Sequence, residues 1–176
     1  MLIFTLGHSV RTFEETLALL QEHRITLLVD VRAVPRSRRN PQYNSDSFAK
    51  ALERERIAYR HMSMLGGMRK PAPDSPNQGL KEEGFRGFAD YMQTPEFGTA
   101  VEVLLELAQG NRTAYMCAEA KPLECHRCLI SDALTARGVE VRHILGPGRS
   151  ETHAYTAHAE VHGGRVQYPF RLESHA

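Results

Sequence analysis

Continuously apolar stretches alternate along the chain with stretches in which apolar residues recur every three or four positions. The first pattern is typical of strands buried on both faces of a parallel sheet, and the second is typical of helices that cover such a sheet. The predicted strands are 2–6, 25–31, 58–62, 113–117 and 139–145, and the predicted helices are 13–23, 45–56, 84–92, 96–109 and one from Leu123 onward. This alternation predicts an α/β fold.

The first strand, helix and strand form one unit, whose helix is opened by Thr12 and Glu15 as a capping box. Such a unit implies a parallel pair with a right-handed crossover. We therefore predict a single three-layer α/β domain over residues 1–146, with a mainly parallel sheet flanked by helices, loosely Rossmann-like or rhodanese-like. Residues 147–176 show no clear period, and we predict an irregular C-terminal tail packed on the same domain.

Composition limits the classes of protein to consider. The 176 residues are 41% hydrophobic and 24% charged, as expected for one globular domain, and no apolar run approaches the roughly 20 residues of a membrane helix. The apolar N-terminus is short and has no basic leader, so we expect a cytoplasmic protein without a membrane partner. A net charge of +1 excludes an overall basic surface, so any contact with nucleic acid must come from a local patch.

All three cysteines fall within twelve positions, between Cys117 and Cys128. Cys117 is predicted to end a strand and Cys125 to open the next helix, where free N–H groups and the helix dipole favour a thiolate. Arg127, and His126 if protonated, would act in the same direction. In a reducing compartment such a cluster favours chemistry, metal binding or packing over a structural disulfide. The cluster therefore predicts a reactive thiol site.

Several interpretations of these thiols stay open. Cys125 and Cys128 have the spacing of a redox dithiol at a helix start. Zinc held by the three cysteines and a histidine is disfavoured, because structural zinc sites usually offer two well-separated ligand pairs, and no metal is predicted. Cys128 can instead face the core, as cysteines on amphipathic helices commonly do. We favour a single nucleophile or binding thiol, either Cys117 or Cys125.

Three predicted strands end in polar tripeptides, at residues 7–9, 30–32 and 117–119. In open parallel sheets the ligand crevice lies outside the carboxyl ends of the strands, so these tripeptides are expected to meet there. The candidate catalytic residues are His8, Asp30, Cys117, Glu119, Cys125 and His126.

The segment between Asp30 and Asp46 carries four arginines and no acid. Guanidinium groups suit phosphate and carboxylate oxygens, Ser37 adds a hydroxyl donor, and Tyr43 offers a face on which a base can stack. The alternative is a solvated basic loop. Because the segment follows the carboxyl end of a strand, an anion site is favoured.

Seven ordered motifs span the chain from the first predicted strand to the last. They are Gly7-His8-Ser9, Val29-Asp30-Val31-Arg32, Pro35-x-Ser37-Arg38, Leu65-Gly66-Gly67-x-Arg69, Phe88-Ala89-Asp90-Tyr91-Met92, Met116-Cys117-Ala118-Glu119 and Cys125-His126-Arg127. Together they resemble the prokaryotic family catalogued as domain of unknown function 488, which implies an α/β fold and no established activity. A looser similarity is to rhodaneses, in which Cys117 would take the place of the nucleophile.

The candidate substrate-binding or anion-binding residues are Ser9, Arg32, Arg36, Ser37, Arg38, Arg69 and Arg127. The leading hypothesis is an enzyme that acts on a phosphate-bearing substrate, a nucleotide or a nucleic acid, with His8 or His126 as acid or base. Two alternatives are a non-catalytic nucleotide or nucleic-acid binding protein and a thiol-dependent sulfur-transfer or redox protein. The sequence identifies no cofactor and leaves the oligomeric state open.

Overall fold

A computed structural model describes residues 1–172 of the chain. The strands are β1 (Leu2–Gly7), β2 (Leu27–Asp30), β3 (Ala58–His61), β4 (Thr113–Cys117), β5 (Glu140–Gly146), β6 (Arg149–Thr152), β7 (Glu160–His162) and β8 (Arg165–Gln167). The α-helices are α1 (Phe13–Glu22), α2 (Ser45–Arg54), α3 (Glu83–Tyr91), α4 (Pro95–Gln109) and α5 (Arg127–Ala136). Short 3-10 helices are Pro41–Tyr43, Ser63–Leu65 and Pro122–Glu124.

The main sheet has six strands in the order β3-β2-β4-β1-β5-β6. The pairs among β1 to β5 are parallel, and β6 is an antiparallel edge strand. The predicted α/β fold with a mainly parallel sheet is confirmed. Because β4 lies between β2 and β1, the order differs from the 3-2-1-4-5-6 of the dinucleotide-binding fold, and the likeness to that fold extends only to its layers.

Two hydrophobic cores lie on opposite faces of the sheet. One core joins α1 and α2 to strand residues such as Leu28 and Met116, and the other joins α3, α4 and α5 to residues such as Val29 and Tyr115. Neighbouring residues of one strand point to opposite faces and both are buried, so these strands have no polar face. This double burial explains the continuous apolar stretches of the sequence.

The helix predicted from Leu123 begins later than expected, at Arg127. Leu123 is 66% exposed and belongs to a 3-10 helix, so it does not extend the apolar face of α5. Cys125 follows in extended backbone with φ −142° and ψ 148°. The prediction that Cys125 opens the helix is therefore wrong: Cys125 precedes α5, and Cys128 lies in its first turn.

The predicted irregular tail contains three strands within residues 147–172: β6 on the main sheet and the β7–β8 hairpin. The tail packs on the domain through the buried side chains of Val166 and Tyr168. Residues 173–176, the last four of the predicted tail, lie outside the described residues. No helix within residues 1–172 is both long and apolar enough to cross a membrane.

A buried polar network, the tail network, fastens this tail to α5 and the sheet. Asp132 of α5 accepts hydrogen bonds from the Tyr168 hydroxyl at 2.6 Å and from His153 Nε2 at 2.7 Å. His153 Nδ1 lies 2.8 Å from His143 Nε2, and His143 Nδ1 lies 2.6 Å from the Thr5 hydroxyl. One set of proton positions satisfies every bond with both imidazoles neutral: each donates through Nε2 and accepts through Nδ1.

Candidate functional site

The candidate site lies where the chain changes direction across the sheet. The connections after β1 and β2 carry α1 and α2 on one face, whereas those after β3 and β4 carry α3, α4 and α5 on the other. Neighbouring β1 and β4 therefore form the switch point at which α/β sheets open a crevice. A crevice of about 710 Å³ lies there, and its lining includes His8, Ser9, Arg32, Arg36, Ser37, Cys117, Glu119, Cys125 and His126.

Asp30 lies behind the residues that line the crevice and is fully buried. Arg32 donates to its carboxylate through Nε at 2.9 Å and through Nη2 at 2.7 Å, and the Tyr59 hydroxyl donates to the same carboxylate. The charge of Arg32 is thus compensated by the acid that immediately precedes the arginine-rich segment. Consequently, the uncompensated positive charge on the crevice wall comes from exposed side chains further along, Arg36 and Arg39.

His8 has a defined proton position. Its Nδ1 lies 2.8 Å from the carbonyl oxygen of Ser9, so Nδ1 carries the proton and donates it. The lone pair is left on Nε2, which lies 3.4 Å from Nη1 of Arg32. Burial lowers the pKa of His8, which keeps the ring neutral at pH 7. Tyr43 stacks on this ring with centroids 4.2 Å apart and is itself fully buried, so the predicted stacking face for a base is already covered.

Arg127 lies beneath the crevice with no exposed surface. Its Nη1 donates to Cys117 Sγ at 3.0 Å and to the carbonyl oxygen of Glu119 at 2.9 Å, and Nη2 donates to the carbonyl of Ala120 at 3.3 Å. Among residues 1–172 no carboxylate lies within ion-pair distance of this guanidinium. Burial lowers the pKa of Arg127 to about 10, so it remains charged at pH 7.

Cys125 contacts the imidazole of His126, with Sγ 3.5 Å from Nδ1. His126 Nε2 lies 2.9 Å from the Leu65 carbonyl and 3.1 Å from the Val31 carbonyl, so Nε2 must carry the proton and Nδ1 the lone pair. Burial lowers the pKa of His126 to about 4, which keeps this tautomer neutral at pH 7. The S–H of Cys125 can therefore donate to Nδ1. The backbone N–H of Arg127 also donates to Cys125 Sγ, at 3.4 Å.

The Sγ atoms of Cys117 and Cys125 face each other and are in contact, while their Cα atoms are 7.5 Å apart. Most disulfides have Cα atoms about 4.4–6.8 Å apart, so we describe the two side chains as facing sulfurs rather than as a structural crosslink. Cys128 is separate from this pair: it is buried in the core, and burial raises the pKa of its thiol to about 11. No group of three or more His, Cys, Asp or Glu within residues 1–172 is arranged to hold a metal ion.

Three of the predicted anion-binding residues lie outside the crevice lining. Arg38 is exposed on the same loop, Arg69 stacks on Tyr91 beside a separate groove with its guanidinium carbon 3.4 Å from the ring centroid, and Arg127 is fully buried. Arg39, which does line the crevice, is one of the four arginines of the basic segment but is not among the predicted site residues. In an irregular loop no sequence period shows which side chains face solvent and which face the crevice. The sequence therefore could not distinguish Arg38 from Arg39.

Two glycines make room for the polar groups of the site. A Cβ on Gly7 would lie 1.6 Å from the carbonyl oxygen of Glu119, and a Cβ on Gly67 would lie 2.6 Å from His126 Nδ1. Both distances are below any real contact, so only glycine permits these approaches. The motifs that contain these glycines carried the signal, although the sequence did not reveal which neighbours need the space.

The fold and the crevice define a three-layer α/β protein with two facing cysteines at the switch point of its sheet. The chain belongs to the family described as Domain of unknown function DUF488, whose model matches residues 12–134. No curated protein and no solved structure that was compared with the chain gives a significant match.

Proposed function

We propose that this protein is an enzyme that acts on a phosphate-bearing substrate, a nucleotide or a nucleic acid, and that Cys117 is its nucleophile. The observation that carries the proposal is the contact between Cys117 Sγ and the buried guanidinium of Arg127. The crevice lining combines a carboxylate, imidazole groups and two thiols, and this combination favours an enzyme over a binding protein. These groups belong to Glu119, His8, His126, Cys117 and Cys125.

The contact with Arg127 favours the thiolate form of Cys117. Ionising an ordinary thiol at pH 7 costs about 2 kcal/mol. Leaving a buried guanidinium without a negative partner costs several kcal/mol. The second cost exceeds the first, and Cys117 is the ionisable side chain in hydrogen-bond contact with Arg127 among residues 1–172. An anionic sulfur at the floor of a crevice is the activated nucleophile that covalent catalysis requires.

The arginine-rich loop in the crevice lining supplies the contacts for the phosphate. Arg36 and Arg39 line the crevice with exposed guanidinium groups, and Ser37 lies between them. The charge of Arg32 is already compensated by Asp30, so Arg32 orients His8 rather than binding the anion. The lone pair of the neutral His8 lies on Nε2 and faces Nη1 of Arg32 at 3.4 Å, so His8 accepts a substrate proton only after this long contact opens.

The test is alkylation of the native, reduced protein with iodoacetamide, mapped by peptide mass spectrometry. We expect Cys117 to react at pH 7 about tenfold faster than Cys128, because Cys117 lines the crevice as a thiolate, whereas Cys128 is protonated and lies outside the crevice lining. An Arg127→Met variant should lose about tenfold of the Cys117 rate, and Arg127→Lys, which keeps the charge, should retain most of it. Unreactive Cys117 in a folded protein whose Cys125 is labelled would refute the nucleophile.

Phosphate binding is tested by protection of Cys117 from the same reagent. Nucleoside 5′-monophosphates or a single-stranded oligonucleotide should slow the alkylation, and for the oligonucleotide the protection should weaken steeply with salt. The double variant Arg36→Ala/Arg39→Ala should lose the protection. Arg38→Ala is the matched control, since Arg38 lies on the same loop but does not line the crevice. Equal protection of the parent protein and the double variant would contradict the proposed anion site.

A further inference from the structure

We propose that Cys117 and Cys125 form an oxidation site, at which a hydroperoxide oxidises Cys117 and Cys125 then closes a disulfide with it. The inference rests on the Cys117 thiolate of the proposed function and does not need the phosphate-bearing substrate. It is carried by the placement of the two cysteines side by side in the lining of a crevice wide enough to admit a small peroxide.

The two sulfurs have unequal surroundings, and each fits a different step. Cys117 accepts a hydrogen bond from the guanidinium of Arg127, which favours the thiolate that attacks peroxides. Cys125 faces the unprotonated Nδ1 of His126. The Cys125 thiol donates its proton to Nδ1 in a hydrogen bond, and Nδ1 accepts this proton when the Cys125 sulfur reacts. Such a pair of one anionic and one protonated thiol is the arrangement of an attacking and a resolving cysteine.

The chemistry balances with hydrogen peroxide as the named oxidant. The Cys117 thiolate attacks one peroxide oxygen, the O–O bond breaks, and the sulfur becomes a sulfenic acid while hydroxide leaves and takes a proton from solvent to form water. The Cys125 sulfur then attacks the Cys117 sulfur, the S–O bond breaks and the S–S bond forms. The Cys125 proton passes through His126 Nδ1 to the departing hydroxide, which leaves as a second water. The two sulfurs lose two electrons, and the peroxide gains them.

Closing the bond requires a small movement of the backbone at Cys125. Its Cα lies 7.5 Å from that of Cys117, about 0.7 Å beyond the usual upper limit for a disulfide. Cys125 lies in extended backbone between a 3-10 helix and α5, and its N–H makes a hydrogen bond of 3.3 Å to the Pro122 carbonyl. Cys128 cannot take its role, because it is held inside α5, in the core, and does not line the crevice.

Disulfide formation would remove the negative charge that faces Arg127 and would consume the nucleophile. Oxidation at this pair would therefore stop any reaction that begins at Cys117. Reduction of the disulfide by two equivalents of a small thiol, which itself becomes a disulfide, would restore both cysteines and the reaction. The disulfide would also protect Cys117 from irreversible oxidation beyond the sulfenic acid.

The experiment treats the reduced, native full-length protein with hydrogen peroxide in the presence of dimedone, a trap for sulfenic acids, and reads the products by intact and peptide mass spectrometry. The parent protein should lose two hydrogen atoms and yield a peptide that links Cys117 to Cys125. A Cys125→Ser variant should instead accumulate the dimedone adduct at Cys117, about tenfold more than the parent protein. Cys128→Ser, the matched control, should behave like the parent.

Three results would overturn the inference: a lasting sulfenic acid at Cys117 in the parent protein, a disulfide that includes Cys128, or no oxidation of Cys117. Each of these results can be measured in the parent protein alone, so the inference stays testable even if a variant fails to fold. Protection of Cys117 by nucleotides is measured separately. If protection occurs and the disulfide does not, the oxidation site alone is wrong. If the disulfide forms without protection, the phosphate-bearing substrate is wrong.

Discussion

The tail network and the crevice both bury ionisable groups, but they satisfy them in opposite ways. In the tail network the carboxylate of Asp132 accepts hydrogen bonds from His153, Tyr168 and the backbone of Thr156, so every group has a partner. Beneath the crevice the guanidinium of Arg127 meets only a sulfur and backbone carbonyls, and its Nε has no partner among residues 1–172. A saturated network holds a structure together, whereas an unsaturated one leaves a charge available for chemistry.

Acidification should lower the free energy of unfolding more than any of the substitutions below. It acts through His143 in the tail network and His126 in the crevice. Burial lowers the pKa of His143 to about 3 and that of His126 to about 4, whereas an unfolded histidine titrates near 6.5. Between those values the unfolded state binds more protons, so stability falls as the pH falls. We expect a loss of about 2 kcal/mol for each histidine between pH 8 and pH 5.

Urea unfolding across this pH range measures the loss, and His126→Gln should remove about half of it by deleting the crevice contribution. A flat profile from pH 8 to pH 5, or the same slope in the variant, would show that these rings are not held neutral by the fold.

Asp132→Asn should disrupt the tail network and lower the free energy of unfolding by about 3 kcal/mol. The variant replaces charge-assisted hydrogen bonds, worth about 1.5–3 kcal/mol each, and places an amide donor against donors of the network. Chemical denaturation measures the effect, and the exposed Asp74→Asn is the control, expected to change stability by less than about 0.5 kcal/mol. Similar stability of the two variants would mean that the network does not fasten the tail.

Gly67→Ala should affect the crevice without touching the tail network. The added Cβ would lie 2.6 Å from His126 Nδ1, so the imidazole must shift, at a cost of about 1–3 kcal/mol. In Gly98→Ala the Cβ would meet nothing within 4 Å inside α4, and this control should gain up to about 1 kcal/mol. Thermal unfolding of both variants gives the comparison, which fails if they shift in the same direction.

Arg36→Ala/Arg39→Ala should have the smallest effect on stability, within about 0.5 kcal/mol of the parent protein. Both side chains are exposed, and neither forms an ion pair among the described residues. Any larger loss in thermal unfolding would assign these arginines to the structure instead of to ligand binding.

Much of this comparison could be anticipated from the sequence. The strand ends that bring His8, Asp30 and Cys117 together follow from hydrophobic runs and from the geometry of parallel sheets, which are local and general rules. The contact between Arg127 and Cys117 could not be predicted, because it depends on how α5 packs beneath the crevice and buries Arg127. Likewise, the tail network joins residues up to 138 positions apart, a separation at which no sequence period operates.

The place of β4 in the sheet has a consequence for how the chain acquires its crevice. Because β4 lies between β1 and β2, the first two strands do not pair with each other. Strand β2 can pair early with β3, whereas β1 pairs with β4 and β5 and must wait for residues 113–117. During synthesis the N-terminal half therefore carries the apolar strand β1 without its partners, and pairing between such distant segments is slow. No fragment that ends before residue 113 can contain the crevice, so the site arises only late in folding.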